Sequence, residues 1–357
     1  MKRILTILFS TILLASATQV AHAQDPQLSQ FYASPLLISP AFAGINNTSK
    51  IHFIHRNQWP NLSANYQYSA ISAELALPEN NAGLGLVLSN DVQFSNLRTT
   101  TLAGQYAYHL TVSEDQFVSF GLQAAYVNKG LDLSNLIWSN QMLDVLTGNR
   151  GATIAPDPII SNLIPNKHYI DLGVGTMINR GNSWLGLSVD HLNKPDKSLF
   201  QNTGIPNFLP MKYSLQLGTK IMLEDPYYST GTVENMKNEK SFSPVLHFKK
   251  QGDYEQMDLG AYFTYSPLTL GVWYRGLPYK KDIQNKFGSS ESIVLLLGYH
   301  KDNFSVGYSY DTTISSLGPS SGGAHELSLS YTFDFFGDAK KALRNKLFQR
   351  GYVCPRL

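Results

Sequence analysis

Apolar and polar residues alternate strictly near the end of the chain. From 326 to 335, Leu327, Leu329, Tyr331, Phe333 and Phe335 are separated by Glu326, Ser328, Ser330, Thr332 and Asp334. Successive side chains of a β-strand point to opposite faces, so this stretch predicts a strand with one apolar and one wet face. Phe304, Val306, Tyr308 and Tyr310 alternate in the same way with Ser305, Gly307, Ser309 and Asp311, and the Ser/Gly/Pro-rich run from Thr312 to Gly323 between the two reads as a loop. The pattern recurs, bounded by turn residues, at 49–57, 66–77, 82–91, 98–110, 115–129, 167–179, 182–191, 211–222, 241–250, 254–265, 268–276, 289–300, 303–312 and 323–335. Fourteen antiparallel strands are therefore expected, most of them about 9 to 13 residues long, enough for a tilted strand to cross a bilayer.

This repeat fits two architectures, a soluble sandwich with its apolar face inward or a membrane barrel with its apolar face outward. The N-terminus separates them. Lys2 and Arg3 precede the apolar run Ile4 to Ala15, and Ala21-His22-Ala23 supplies a small-x-small cleavage site. That predicts a secretory signal peptide over residues 1–23 and a mature start at Gln24. Without Lys2 and Arg3 the chain carries 26 Lys+Arg against 26 Asp+Glu; charged residues are only 15%, beside 27 Gly, 20 Tyr and 18 Phe. A neutral, aromatic-rich chain with no later apolar run of about 18 residues points to a β-barrel in the outer membrane. With no basic patch, nucleic-acid binding is not expected.

The connections agree with such a barrel. If the first strand runs outward, Pro78–Ala82, Thr111–Glu114, Asn179–Gly181, Ser266-Pro267 and Lys301-Asp302 are short periplasmic turns. Leu131–Asn166, Leu192–Pro210, Leu277–Gly288 and Thr313–Gly322 are then longer outer loops. Glu224–Lys240 breaks the rule, being long on the periplasmic side, and leaves room for a missed hairpin. Leu102, Gly104, Tyr106, Tyr108 and Leu110 should face lipid, as should Met257, Leu259, Ala261, Phe263 and Tyr265; Gln105, His109, Asp258, Gly260 and Thr264 lie opposite. Tyr169, Trp184, Tyr299 and Tyr310, near strand ends, are expected in the interfacial girdles.

Two flanking segments leave the strand pattern. Residues 24–48 hold Pro26, Pro35 and Pro40 and cannot be an interior strand, yet Leu28, Phe31, Tyr32, Leu36, Leu37, Ile38 and Phe42 need burial. The segment is either a disordered leader or an inner, plug-like element against the lumen or periplasmic rim. Residues 49–336 make the barrel. Residues 337–357 read as a short periplasmic helical tail, with Asp338 as N-cap and Gly351 as stop, carrying Lys340, Lys341, Arg344, Lys346 and Arg350 as a candidate docking cluster.

Catalytic and metal chemistry has little support. No H-E-x-x-H, G-x-S-x-G, P-loop or paired-Cys spacing occurs, and Cys354 is the single cysteine. His52 and His55 are three apart, which on a strand places them on opposite faces. Asp132, Asp144 and Asp157 read as solvated loop acids. Asp190-His191 and Ser321 with His325-Glu326 are the nearest approaches to a hydrolase site. No enzyme activity and no cofactor are expected.

Three stretches together resemble one family. They are Asp25-Pro26-Gln27-Leu28-Ser29-Gln30-Phe31-Tyr32 with Ser39-Pro40-Ala41-Phe42-Ala43-Gly44, then Arg56-Asn57-Gln58-Trp59-Pro60, then Tyr308-Ser309-Tyr310-Asp311 with Gly323-Ala324-His325-Glu326-Leu327. In order and spacing they resemble the PorP/SprF outer-membrane proteins of the type IX secretion system. The resemblance implies a non-enzymatic barrel that supports secretion or surface attachment of partner proteins such as gliding adhesins, working with other secretion components in the outer membrane and periplasm. A small-solute porin or transporter with an N-terminal hatch is the alternative. Arg56 is costly toward lipid and cheap in a lumen or at a rim. Arg56, Asn57, Gln58 and Trp59 are therefore expected to fasten the first outer loop into the barrel mouth, or to contact a partner there.

Overall fold

The computed structural model describes residues 25–45, 48–63, 65–94, 96–113, 115–132, 163–200, 207–223, 239–277, 289–314 and 318–333. The expected signal peptide and the basic tail, with Lys340, Lys341, Arg344, Lys346 and Arg350, lie outside them. The strands are β1 Ser49–Gln58, β2 Tyr66–Leu77, β3 Ala82–Gln93, β4 Leu97–Ser113, β5 Gln116–Leu131, β6 Asn166–Arg180 and β7 Ser183–Asp190. Next comes β8, in two pieces, Lys212–Thr219 and Ile221–Met222, and then β9 Lys240–Gln251, β10 Tyr254–Tyr265, β11 Leu268–Leu277, β12 Ser289–Lys301, β13 Phe304–Thr313 and β14 Ala324–Phe333.

Each strand pairs antiparallel with its chain neighbours, and β1 pairs with β14 from Ser49↔Phe333 to Gln58↔Ala324, so the sheet closes on itself. Closure is required here because a lipid-facing strand edge would leave backbone N–H and C=O groups without partners. β9 pairs directly with β8 on one side and with β10 on the other, so fourteen strands close the sheet and no further strand lies between β8 and β9 in it. The two pieces of β8 keep one register against β9, Val245↔Gly218 and Phe242↔Ile221. The break falls at Lys220, opposite Ser243 and next to Pro244, and the Lys220 N–H continues the ladder with β7 by donating to the Asn182 carbonyl.

The faces follow the alternation. Leu102 is 47% exposed and Ala103 3%; Leu259 is 50% exposed and Asp258 1%. Outside is apolar and inside is mixed. Two of the expected girdle residues go the other way: Trp184 is buried in the lumen, and Tyr169 packs against the inner cluster around Leu36 and Val127. Their strand partners at even spacing explain it. Trp184 shares a face with Ser188 and Asp190, and Tyr169 with Asp171, and polar side chains do not face lipid.

The lumen is occupied by residues 25–45. Three single 3-10 turns, Phe31–Ala33, Pro35–Leu37 and Pro40–Phe42, carry the segment, with Pro35 and Pro40 at first-turn positions where a missing N–H costs nothing. Gly44 lies against Ala76 and Gly83 at the short-turn end of β2 and β3, the end expected to be periplasmic, while Asp25 reaches Gln251 at the opposite end of β9, the expected outer mouth. The first described residue is thus at the outer mouth and the chain descends from it to β1.

Two wall glycines make room for this passage. A Cβ on Gly121 would stand 2.2 Å from the Ala41 nitrogen, and one on Gly83 2.0 Å from the Ala43 oxygen. Both obstacles are backbone, which cannot swing aside as a side chain can. Gly121→Val is therefore expected to dislodge residues 40–42 from the wall while β4–β6 still pair. Single-channel recording on the purified variant should show a leak, and a variant as silent as wild type would mean the segment simply shifts.

Candidate functional site

The first half of the N-terminal stretch, the Arg56 stretch and the stretch near the end of the chain meet at one place in the outer third of the lumen, while Ser39–Gly44 lies at its other end. Arg56 of β1 and Arg275 of β11 face inward, as do Asp258 of β10, Asp311 of β13 and Glu326 of β14, all nearly fully buried. Arg56 pairs with Asp311 at 2.8 Å and Glu326 at 3.0 Å; Arg275 pairs with Asp258 at 2.7 Å and Asp311 at 3.0 Å. Buried ions repay their desolvation only when their remaining lone pairs and protons are also used, and here the N-terminal segment supplies those uses. The Ser29 hydroxyl donates to Asp311 at 2.7 Å and accepts from Arg56 at 2.9 Å and Arg275 at 3.0 Å, which exhausts a hydroxyl. The Glu326 carboxylate accepts from the Ser29 and Gln30 backbone N–H groups at 2.9 and 2.7 Å. The Gln30 side chain completes the contact, donating to the Glu326 carbonyl at 2.8 Å and accepting from Ser328 at 2.6 Å.

Below this lock the segment presents an aromatic pair. Phe31 sets its edge against Trp273, centroids 5.1 Å apart, and against His247 at 4.9 Å. The Tyr32 hydroxyl accepts from the Trp184 indole N–H at 2.9 Å. Further down, wall side chains hold segment carbonyls: Gln105 holds Leu36 at 2.9 Å, Ser119 holds Ala41 at 2.6 Å, and His109 holds Ala43 at 3.1 Å.

Above the lock, at the outer mouth, Asp25 takes Lys212 at 2.8 Å and His191 at 3.0 Å; His191 also bonds Asp171 at 2.9 Å. Burial alone would raise the Asp25 pKa, but the Lys212 ammonium and the His191 ring outweigh it and hold the carboxyl well below its ordinary 3.8. Burial lowers the His191 pKa, yet Asp25 and Asp171 lift it from 6.5 to about 10. The Asp25 contribution is present above pH 3.8 and lost as pH falls through its depressed folded value. The His191 contribution is complete below pH 6.5 and lost as pH rises toward about 10. The latch at the mouth is fullest in mildly acidic solution and survives well past neutrality.

The remaining candidates fall into place around this core. Gln58 accepts from Arg56 at 3.2 Å, and the Trp59 N–H donates to the Gly323 carbonyl at 2.7 Å, tying the first outer loop to the last. Asn57, of opposite parity to Arg56, does not join the lock. His52 is buried beside Glu74, whereas His55 bonds Ser69 on the other face. Ser321, His325 and Glu326 do not converge: Ser321 bonds Thr313, His325 bonds the Tyr308 hydroxyl outside, and Glu326 is in the lock. Asp190 pairs with Lys212. Among the described residues no group of three His, Cys, Asp or Glu side chains could hold a metal ion. Arg275 and Trp273 carry no motif that marks them in the sequence; the one local signal is that both share the face of Thr269 and Gly271, which is inward.

Comparison with known proteins places the chain. The family described as "Type IX secretion system membrane protein PorP/SprF" matches residues 20–331. No curated protein matches. Among solved structures, the outer membrane protein Omp33 of Acinetobacter baumannii is 6% identical, with 82% of this chain and 100% of that one covered and a TM-score of 0.40. The CymD monoaromatic hydrocarbon channel is 13% identical, covering 85% and 93%, at a TM-score of 0.44. The toluene transporter TbuX of Ralstonia pickettii is 10% identical, covering 85% and 94%, also at 0.44.

Proposed function

The chain belongs to the PorP/SprF family of type IX secretion system membrane proteins, and we propose that it is a plugged outer-membrane barrel whose two rims, rather than its lumen, do the work. On this reading it supports the secretion or surface attachment of partner proteins such as gliding adhesins and contacts periplasmic machinery. The observation that carries the reading is the filled lumen: one segment, Asp25 to Ile45, is fastened to the wall from the outer mouth to the periplasmic end. A barrel that conducts small solutes gains nothing from so many fastenings along its whole length. The direct test is purification in mild detergent followed by identification of what is recovered. A secreted surface protein or periplasmic secretion components should accompany the barrel, and recovery of the barrel alone would count against the proposal.

The basic cluster Lys340, Lys341, Arg344, Lys346 and Arg350 is proposed as a periplasmic docking element, because closing a barrel requires nothing beyond the last strand. Truncation after Gly337 should preserve insertion and heat-modifiable migration on gels while reducing secretion and partner recovery. Replacing the five residues by Gln should give a milder defect that worsens with salt, since exposed charges mainly steer association. Wild-type secretion by the truncated protein would move the contacts to turns or loops.

A further inference from the structure

The lumen is not filled evenly. Between the outer half of the N-terminal segment and strands β8–β10 lies a cavity with about 50 Å³ open to the centres of water molecules, bounded by Asp25, Phe31 and Ile38 on one side and by His247, Lys249 and Gln256 on the other. Most of its polar lining is already committed. Lys212 is held by Asp25 and Asp190, the Tyr254 hydroxyl lies 3.0 Å from both Gln256 and Glu291 and gives its one proton to either, and the Gln256 amide donates to Asp258.

Two groups are not. Lys249 faces inward, and its ammonium rests 5.2 Å above the Phe31 ring, with no ion pair or hydrogen bond among the described residues. His247 is 3% exposed, and neither ring nitrogen has a partner there. Buried donors without acceptors are rare because each forfeits its hydration for nothing. A cation and an imidazole N–H left over on one wall of one cavity are complementary to an anion.

We propose that this cavity binds a single carboxylate group, with Lys249 pairing its charge and His247 donating the second hydrogen bond. Size and charge both narrow the ligand. A water needs roughly 10–15 Å³ on this measure, so the space admits a handful of water-sized atoms: enough for a carboxylate and its first carbon, too little for a sugar ring. One spare cation beside Asp25 and Glu291 balances one negative charge and not two, which disfavours a phosphate dianion. The carboxylate has two possible sources, a free small acid or an acidic side chain entering from the outer face. The site also lies on the seam between segment and wall, so an occupant that draws Lys249 off the Phe31 ring acts on the segment directly.

The test begins with unaltered protein. The barrel in detergent is exposed to an amine-acylating reagent in acetate or in chloride of equal ionic strength, and modification of each lysine is read by mass spectrometry. Acetate should slow modification of Lys249 several-fold and leave neighbouring Lys250, which points outward and pairs with Glu255 at 2.7 Å, unchanged. In a second measurement acetate should raise the melting midpoint of wild type but not of Lys249→Met or His247→Phe, each first confirmed as folded by heat-modifiable migration. Peptides carrying Glu or Gln, added outside proteoliposomes, separate the sources: protection by the Glu peptide assigns the site to a protein side chain, and protection by acetate alone assigns it to a free acid. Equal reactivity of Lys249 in acetate and chloride overturns the proposal.

Discussion

Deletion of Gln27–Ala43 is expected to turn a silent barrel into a conducting one. The wall does not depend on the segment for its backbone bonds, because β1 through β14 already close with every strand paired on both sides. Eight-stranded barrels are filled by their own side chains and sixteen-stranded ones hold a water channel; fourteen strands lie near the second case. The surface uncovered by the deletion includes Ser72, Gln105, His109, Ser119 and Ser188, which hydrate readily. What is lost is the burial of Phe31, Tyr32, Leu36 and Phe42, each worth about 1.5–3 kcal/mol when complete, together with the polar fastenings. The deletion should therefore insert and migrate as a folded barrel while showing large, sustained conductance in planar bilayers. Normal insertion with unchanged conductance would show that the segment does not seal the lumen. Liposome swelling supplies the complementary check, since solute flux through the intact wild-type protein would favour the porin reading.

Glu326→Ala should open the same path with one side chain changed. It removes the acceptor of the Ser29 and Gln30 N–H groups and one of the two carboxylates beside Arg56. Arg56 keeps Asp311 at 2.8 Å, so the cost is that of two buried backbone N–H groups left without an acceptor, about 1–3 kcal/mol each. Glu326 lies on the last strand and its partners on the N-terminal segment and β1, so the cost falls on the joint between segment and wall rather than on strand pairing. The variant should show intermittent conductance and faster protease cleavage between Asp25 and Ala43, with heat-modifiable migration retained. Combined with the segment deletion, the substitution should lose its effect on conductance, since nothing remains to release. A Glu326→Ala barrel that stays sealed would show that the aromatic and periplasmic fastenings suffice without the lock.

What could be read in the sequence was what depends on neighbours one and two residues away. Strands 66–77 and 254–265 were placed to the residue because lipid outside and polar groups inside impose a period of two on each strand separately. The same period marks Trp184, which alternates in step with Ser188 and Asp190, as facing the lumen rather than the girdle. The prolines of residues 24–48 excluded an interior strand, and their unplaced apolar side chains left a disordered leader and a buried inner segment as the two choices; the composition and the expected signal peptide pointed to lipid as the solvent.

The tertiary structure alone decided which inward residues touch. Ser29 and Arg56 are 27 residues apart, Arg56 and Asp311 255, and Arg56 and Glu326 270. No local pattern encodes such distances; they are set by the number of strands and by the register in which β1 meets β14. Alternation could say that Arg56 faces inward, but not that two carboxylates and a serine hydroxyl would be waiting there. It could not say that Lys249 and His247 would have no such partners among the described residues. It was equally silent on the direction of the segment, with Asp25 at the outer mouth and Gly44 at the base, because direction follows from which ends of β2, β3 and β9 the segment meets. Local chemistry made a barrel with something inside it; closure of the sheet determined what that segment is locked to and which groups were left over.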